Sequence, residues 1–423
     1  MRMRVHDTHI PGPNAPLTLM DRLPFLILPG CILFNFFLCL IHTLAFDVSV
    51  PMIIACEIVL VGVSAFYGFF QINRAKLYWL AIIGVQITLM LLLSLARDEF
   101  LMKPIRDMII MPVFVVLGLS AARLKLTSFL LWMGAIIIAV AMWEGFALEN
   151  FTQYFNIRKY YVGKGVIGED MFIPADLIVS GFRPNESYLL DLPFHRLSSV
   201  FLEPVSLGFF GFIIGLYFTA MKRNLSLPIF LLGLVISYTL IVISDARMAF
   251  MSLTLMLMLR PLIARIDHRF AFLVFPGILF VAFIIYITQV FGTSGEGIGW
   301  RVDDTMKKLS VMSFDLFLGL STDKYYAEDS ALLKIFQFQG VLGILLYWLS
   351  PIFFMRHMNE EPRIYLFGIT MFLSFGFIIS SAILTIKTAA LLWFLYGYLV
   401  AWTIKRDEDL HDKEINDRAI SAA

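Results

Sequence analysis

Three short groups of residues carry most of the reactive chemistry in a chain that is otherwise largely apolar. The first is His195-Arg196-Leu197-Ser198-Ser199, followed by Glu203-Pro204. The second is Ser244-Asp245-Ala246-Arg247, and the third is Glu328-Asp329-Ser330. Each stands just before an apolar run, so each is expected beside a helix N-terminus. Free N–H groups and a partial positive charge at such an end suit an anion such as phosphate. Arg196 and Arg247 add guanidinium forks that grip phosphate oxygens in pairs. Glu203 and Asp329 supply carboxylates able to take a proton. Brought together, the three groups would make a pyrophosphate receptor beside a general base.

Taken singly, the same residues have plainer readings. Ser198, Ser199, Asp245, Asp329 and Ser330 are ordinary N-cap residues. Arg247 can pair with Asp245 within one turn, Arg196 can pair with Glu203, and His195 can be an interfacial side chain. Arg106 and Asp107 open a further apolar run and would extend a basic pocket. Glu57 lies inside an apolar run, where a charge needs a partner or a role. Arg301, Asp303 and Asp304 follow the glycine-rich stretch 292–299, which reads as a flexible loop and matches no phosphate-loop pattern. Arg301 remains a candidate contact to substrate, while two adjacent carboxylates are too few to assign a metal. The three cysteines, Cys31, Cys39 and Cys56, all lie in apolar runs and form neither a disulfide framework nor a metal spacing. Zinc-protease and serine-hydrolase motifs are missing. The expected site uses no metal and no cofactor, because the arginines can hold the anion's charge in a metal's place.

The elements that must position these groups are membrane spans. Of 423 residues, 59% are hydrophobic and 15% charged, against about 25% charged in soluble domains. Mean hydropathy is +0.82. Apolar runs long enough for a ~30 Å hydrocarbon core recur throughout. They predict an all-α polytopic membrane protein with about twelve spans: 24–46, 51–70, 77–96, 104–121, 127–148, 203–221, 226–244, 248–264, 270–291, 335–355, 364–384 and 386–403. The last two also read as one re-entrant hairpin. Residues 1–23 and 404–423 form polar tails, the latter a solvated end, and the hydrophilic stretches 149–202 and 292–334 form two long loops. No cleavable signal pattern precedes the first span, which is expected to stay as an anchor. Basic residues crowd the other short connections, as in Arg74 with Lys76, Arg123 with Lys125, and Lys222 with Arg223. By the positive-inside rule both termini are cytoplasmic, and both long loops and all three polar groups face out. The net charge of +1 gives no support to nucleic-acid binding.

At these residues the chain resembles the O-antigen polymerase and ligase superfamily, in particular the Wzy-type polymerases of secreted exopolysaccharides, of the xanthan-polymerase kind. The resemblance rests on Arg196-Leu197-Ser198-Ser199-Val200-Phe201-Leu202-Glu203-Pro204, on Ser244-Asp245-Ala246-Arg247, and on Glu328-Asp329-Ser330 followed by Gln339-Gly340 and Gly343. It covers roughly 190–350; the first half matches in hydropathy only. It implies a GT-C-like lipid-linked sugar transferase of the bacterial inner membrane, with a cavity for polyprenyl-pyrophosphate sugars near the outer leaflet. Carried over, it assigns Arg196 and Arg247 to the pyrophosphate and Glu328 with Asp329 to the sugar. The 292–334 loop holds no His, which favours polymerase over ligase. The implied partners are a flippase and a chain-length co-polymerase. The rival expectation is a twelve-span transporter or flippase, in which Glu57 would mark a transport path.

Overall fold

The computed structural model describes residues 22–70, 72–100, 102–168, 177, 181, 189–190, 194–290, 298–322 and 330–422. Glu328 and Asp329 lie outside these. Among the described residues the elements are helices with no strand, as apolar runs in hydrocarbon require: every backbone N–H and C=O must be satisfied within its own segment. In chain order they are α1 (Pro24–Leu44), α2 (Val50–Phe69), α3 (Arg74–Arg97), α4 (Met102–Leu119), α5 (Leu126–Phe146), α6 (Leu148–Tyr154), α7 (Ile157–Gly163) and α8 (Pro204–Met221). After these come α9 (Leu227–Ile243), α10 (Arg247–Ile263), α11 (Val274–Thr288), α12 (Ile298–Ser310), α13 (Phe314–Leu318), α14 (Ala331–Phe353), α15 (Glu360–Ile379) and α16 (Ile386–Ala422).

Among the described residues, nine helices are long and apolar enough to cross a membrane. The other three expected spans coincide with α4, α9 and α10. Helices α9 and α10 have 17 residues each, and α4 carries Lys103, Arg106 and Asp107 near its start. Prolines at the first positions of α1, α2, α8 and α9 set the helical φ where no N–H is needed. The Asn73 side chain caps α3 by accepting from Lys76 N at 2.9 Å.

Burial sorts the helices into an inner and an outer set. The apolar stretch of α8 is 94% buried and those of α15 and α16 are 83% and 89%, whereas that containing α11 is only 17% buried. Apolar all round, α8 has neighbours on every side. The outer helices α2, α3 and α11 keep Phe66, Leu95 and Phe280 exposed, which suits contact with lipid tails. The inner helix α16 packs most closely against α4. Their backbones touch where Gly118 faces Gly397: a Cβ on Gly118 would collide with Phe394 O, and one on Gly397 with Val115 O. Small residues allow such close approach without a hydrophobic driving force between helices.

The bundle has two dissimilar ends. At one, α8, α10, α15 and α16 are tied by Arg260–Glu360 at 3.1 Å, Arg406–Glu361 at 2.6 Å, and the Arg223–Glu360 pair. Glu360 and Glu361 lie in the first turn of α15, where their charge suits the helix dipole. The long loops leave from the other end. They are not bare loops: 149–202 contains α6 and α7, and 292–334 contains α12 and α13.

Three expectations shift. The proposed re-entrant hairpin at the end of the chain is two separate helices, α15 and α16. The polar tail expected beyond 403 is helical, since the helix of the last span runs on to Ala422. The span expected at 335–355 starts at Ala331 and is interrupted at Gly340, whose φ of 61° and ψ of −162° are not helical. Hydropathy reports apolar length, and neither a polar helical extension nor a single left-handed residue alters it.

The glycine crossing gives a stability test. Gly118→Ala or Gly397→Ala should destabilise the protein by about 1–3 kcal/mol, the range for overpacking. Gly84→Ala, where a Cβ meets nothing within 4 Å, should be neutral or stabilising by up to ~1 kcal/mol. The fraction of monodisperse protein surviving stepwise heating in detergent reads this out. Equal behaviour of all three variants would mean that α4 and α16 do not pack as described.

Candidate functional site

Segment 194–203 runs from the long-loop region to the start of α8, and a buried carboxylate fixes its path. Glu144, near the C-terminus of α5, is fully buried. Its Oε2 accepts from Ser198 N at 2.9 Å and Ser199 N at 2.6 Å, and its Oε1 meets His195 Nε2 at 3.1 Å. The Ser199 hydroxyl donates to Ile137 O at 2.7 Å on the same helix. Hydrogen bonds to a charged acceptor contribute about 1.5–3 kcal/mol each. Glu144 lies within an apolar run, and nothing in that run marked it as the anchor.

Turned by that anchor, Arg196 points into protein and not into the loop region. It is 4% exposed. Its Nε donates to Ser244 O at 3.1 Å and lies 3.8 Å from Asp245 Oδ2. Asp245 Oδ1 in turn accepts from Leu189 N at 2.9 Å and lies 3.8 Å from Arg247 Nε. Thus Arg196, Asp245 and Arg247 do come together, with Arg247 partly exposed at the first position of α10. The alternative pairing of Arg196 with Glu203 gives way to contacts of Arg196 with the 244–245 turn and of Glu203 with Lys387, because Glu144 holds the intervening backbone. Ser198 and Ser199 give their backbone N–H groups to Glu144 and neither side chain caps a helix, while the Ser330 side chain does cap α14. Ser199, Leu202 and Asp245 all have positive φ, of 49°, 58° and 48°. Non-glycine residues seldom adopt this region, and such strain persists where surrounding contacts over-determine it.

Glu203 belongs to a second group next to the first. Its carboxylate accepts from Lys387 Nζ at 2.5 Å and from the Ser206 hydroxyl at 2.9 Å. Lys387 is the second residue of α16, and its Nζ also lies 3.4 Å from Phe201 O. The 3-10 turn Ala382–Leu384 contacts α4, α8, α14, α15 and α16. Since α4, α8, α14 and α16 all begin at this end, four helix N-termini gather around one turn. Basic side chains crowd the same place. Lys334 Nζ donates to the Ser381 hydroxyl at 2.7 Å, and Arg106 pairs with both Glu57 and Asp107. Lys164 follows α7, its Nζ 6.0 Å and 5.7 Å from the Tyr160 and Tyr161 ring centres. Charges on Lys387, Glu203, Lys103 and Arg106 all act on Lys164, and those on Lys103 and Lys334 act on Asp107.

Among the described residues, Glu57, Asp107 and Glu203 thus face Lys103, Arg106, Lys164, Lys334 and Lys387, an excess of positive charge at a cluster of helix N-termini. Anion binding is the chemistry such a place supports. Of the expected residues it contains Glu203 and Arg106, and Glu57 finds its partner here. The lysines were visible in sequence, but nothing in their spacing joined four separate helices. Arg301 lies elsewhere in its bonding, donating to Ile379 O at 3.0 Å at the end of α15. Asp303 accepts from Gln289, and Asp304 pairs with Lys308 at 2.7 Å. Comparison of the chain with protein-family models, curated proteins and solved structures gave no match.

The Glu144 anchor is testable apart from any activity. Glu144→Ala strands two buried N–H groups, at roughly 1–3 kcal/mol each. Amide hydrogen exchange at Ser198 and Ser199 should then accelerate by ten-fold or more, with exchange in α15 unchanged. Unchanged protection at both serines would show that the carboxylate does not hold the segment.

Proposed function

We propose that this protein is a polysaccharide polymerase that joins polyprenyl-pyrophosphate-linked oligosaccharide repeat units at the extracytoplasmic face of the bacterial inner membrane. The observation that carries this reading is the gathering of Lys103, Arg106, Lys164, Lys334 and Lys387 with four helix N-termini around Glu203. A lipid-linked pyrophosphate needs both an apolar surround for its chain and a concentrated positive site at the membrane edge. On this reading twelve helices span in a GT-C-like arrangement with both termini cytoplasmic, a flippase delivers the repeat unit, and a co-polymerase sets chain length.

The mechanism follows from charge. A hydroxyl of one repeat unit attacks the anomeric carbon of the chain held on the other lipid. Polyprenyl pyrophosphate departs with the bonding electrons, and its growing negative charge is what the site must stabilise. Fixed ammonium and guanidinium groups with helix N-termini do so without reorganising at the moment of reaction. Arg247, partly exposed on the neighbouring turn, would contact the sugar or phosphate. Arg196 holds the turn that carries Arg247.

A second reading has its own observation. Helix α14 is broken at Gly340, and the buried amides of Gln86 and Gln339 make no hydrogen bond among the described residues. Broken helices with polar groups at membrane depth also line transport paths, so movement of a lipid-linked glycan is the alternative.

Cells carrying Lys387→Ala, Arg106→Ala or Arg247→Ala, at matched protein level, separate the two. Removing one such group should slow polymer formation by about 10²-fold, the lower range for loss of an electrostatic donor, and single repeat units on polyprenyl pyrophosphate should accumulate at the outer face. Accumulation at the inner face would assign transport instead. Normal polymer in all three variants would remove this site from either function.

A further inference from the structure

Glu203 is one of the two carboxylates able to take the proton of the attacking hydroxyl, but its surroundings oppose that role. One carboxylate oxygen is already shared by the Lys387 ammonium at 2.5 Å and the Ser206 hydroxyl at 2.9 Å. A carboxylate so engaged is a weakened acceptor, and its negative charge holds Lys387 in place. Asp329, the other carboxylate able to take a proton, lies outside the described residues; among those described, another group has a free electron pair to offer.

Lys164 has the right surroundings. It is half-buried, and no carboxylate or hydrogen-bond partner meets its Nζ among the described residues, only the faces of Tyr160 and Tyr161. Its backbone is held firmly, since it is the C-cap residue of α7 and its N–H donates to Tyr160 O at 3.0 Å. Helix α7 in turn packs on α1, with the Tyr160 hydroxyl donating to Asn35 at 2.8 Å. The charged groups around Lys164 are mostly positive: Lys387 from α16, and Lys103 and Arg106 from α4, against Glu203 from α8. On its own side, Asp47 is taken up by Lys159 at 3.0 Å and lies 3.8 Å from His42.

We propose that Lys164, as the neutral amine, is the general base that takes the proton from the attacking sugar hydroxyl. This rests on the polymerase reading. The bond from the hydroxyl oxygen to the anomeric carbon forms as the bond from that carbon to the pyrophosphate oxygen breaks. The bonding pair leaves with polyprenyl pyrophosphate, and the hydroxyl proton passes to the Lys164 lone pair to give an ammonium. No metal, oxidant or further reactant enters the balance. The environment supports a neutral amine: burial, and then the like charge of Lys387, bring Lys164 down from the ordinary lysine range to about 7, against the opposing pull of Glu203. The sign is that of a base. Below pH 7 the amine is protonated and cannot accept, so the rate should fall as pH falls.

The test uses full-length protein in lipid vesicles and, as probe, the polyprenyl-linked repeat units that accumulate in cells lacking it. Elongation is followed from pH 5.5 to 9 in wild type, Lys164→Ala and Lys164→Arg, with and without methylamine. Wild type should lose about ten-fold per pH unit on the acid side and level off above about pH 7, as a single essential base requires. Lys164→Ala should lower kcat by about 10²–10⁴-fold, leave KM within about three-fold, and abolish the acid limb. Methylamine should restore at least ten-fold, tracking its unprotonated fraction. Lys164→Arg keeps a cation over the two rings but cannot accept a proton, so it should be as slow as Lys164→Ala. A fast Lys164→Arg, or a loss confined to KM with no amine rescue, overturns the base and leaves Lys164 as an anion contact. If cells lacking the protein accumulate no lipid-linked repeat unit, or wild type does not extend one, the polymerase reading fails and the base falls with it.

Discussion

A carboxylate buried at the end of α5 organises this end of the molecule. An unpaired charge in such a place costs several kcal/mol unless hydrogen bonds replace water. Glu144 receives them from two consecutive backbone N–H groups and from His195. The requirement runs both ways, since the Ser198 and Ser199 amides would otherwise be buried without acceptors. Once both demands are met, the chain from 194 to 203 has little freedom left. Arg196 is delivered to Ser244 and Asp245 on one side, and Glu203 to Lys387 on the other. The two halves of the site are therefore mechanically joined through a residue that touches neither Lys387 nor Arg247.

The same logic explains why strain collects here. Irregular backbone is costly where it is buried away from water, because orphaned N–H and C=O groups are expensive there. Ser199 and Leu202 take left-handed conformations within the segment that both serine amides tether to Glu144, and Asp245 does so on the turn that Arg196 holds. Ion pairs at the opposite end do a different task. Arg260 and Arg406 tie helices through Glu360 and Glu361 on regular helical backbone, with no residue of positive φ nearby in sequence. One end is cross-braced, the other is bent around its polar groups.

Much of the fold was legible in the sequence because apolar length maps directly onto helices that must satisfy their own backbone. The polar groups at 195–203 and 244–247 were legible too, since charge in an oily chain is rare and demands a reason. What each arginine does was not. Arg196 and Arg247 look alike in sequence, yet one is buried against a backbone carbonyl and the other is partly exposed. Only the turn between α9 and α10 distinguishes them. Glu144, Lys164 and Lys387 were passed over for a related reason. Each is a single polar residue at the end of an apolar run or in a loop, and its partners lie on other helices far away in sequence. Pattern within a segment cannot show convergence between segments.

Convergence has an electrostatic consequence that bears on how the site could turn over. Among the described residues, four helix N-termini and five cationic side chains share three carboxylates, so positive charge is in excess there. A lysine that sheds its proton relieves part of that excess, and the Nζ of Lys164 meets ring faces and no carboxylate among the described residues. If a pyrophosphate is the leaving group, it gains negative charge as the acceptor hydroxyl loses its proton. A proton moving onto Lys164 then restores positive charge at the same moment, beside the anion that is forming. The attraction is greater in the transition state than with substrate bound, which is the condition for lowering a barrier and not merely for tightening binding. A permanently charged arginine at this position would bind the ground state and the leaving group alike. The value of a lysine here lies in being able to change.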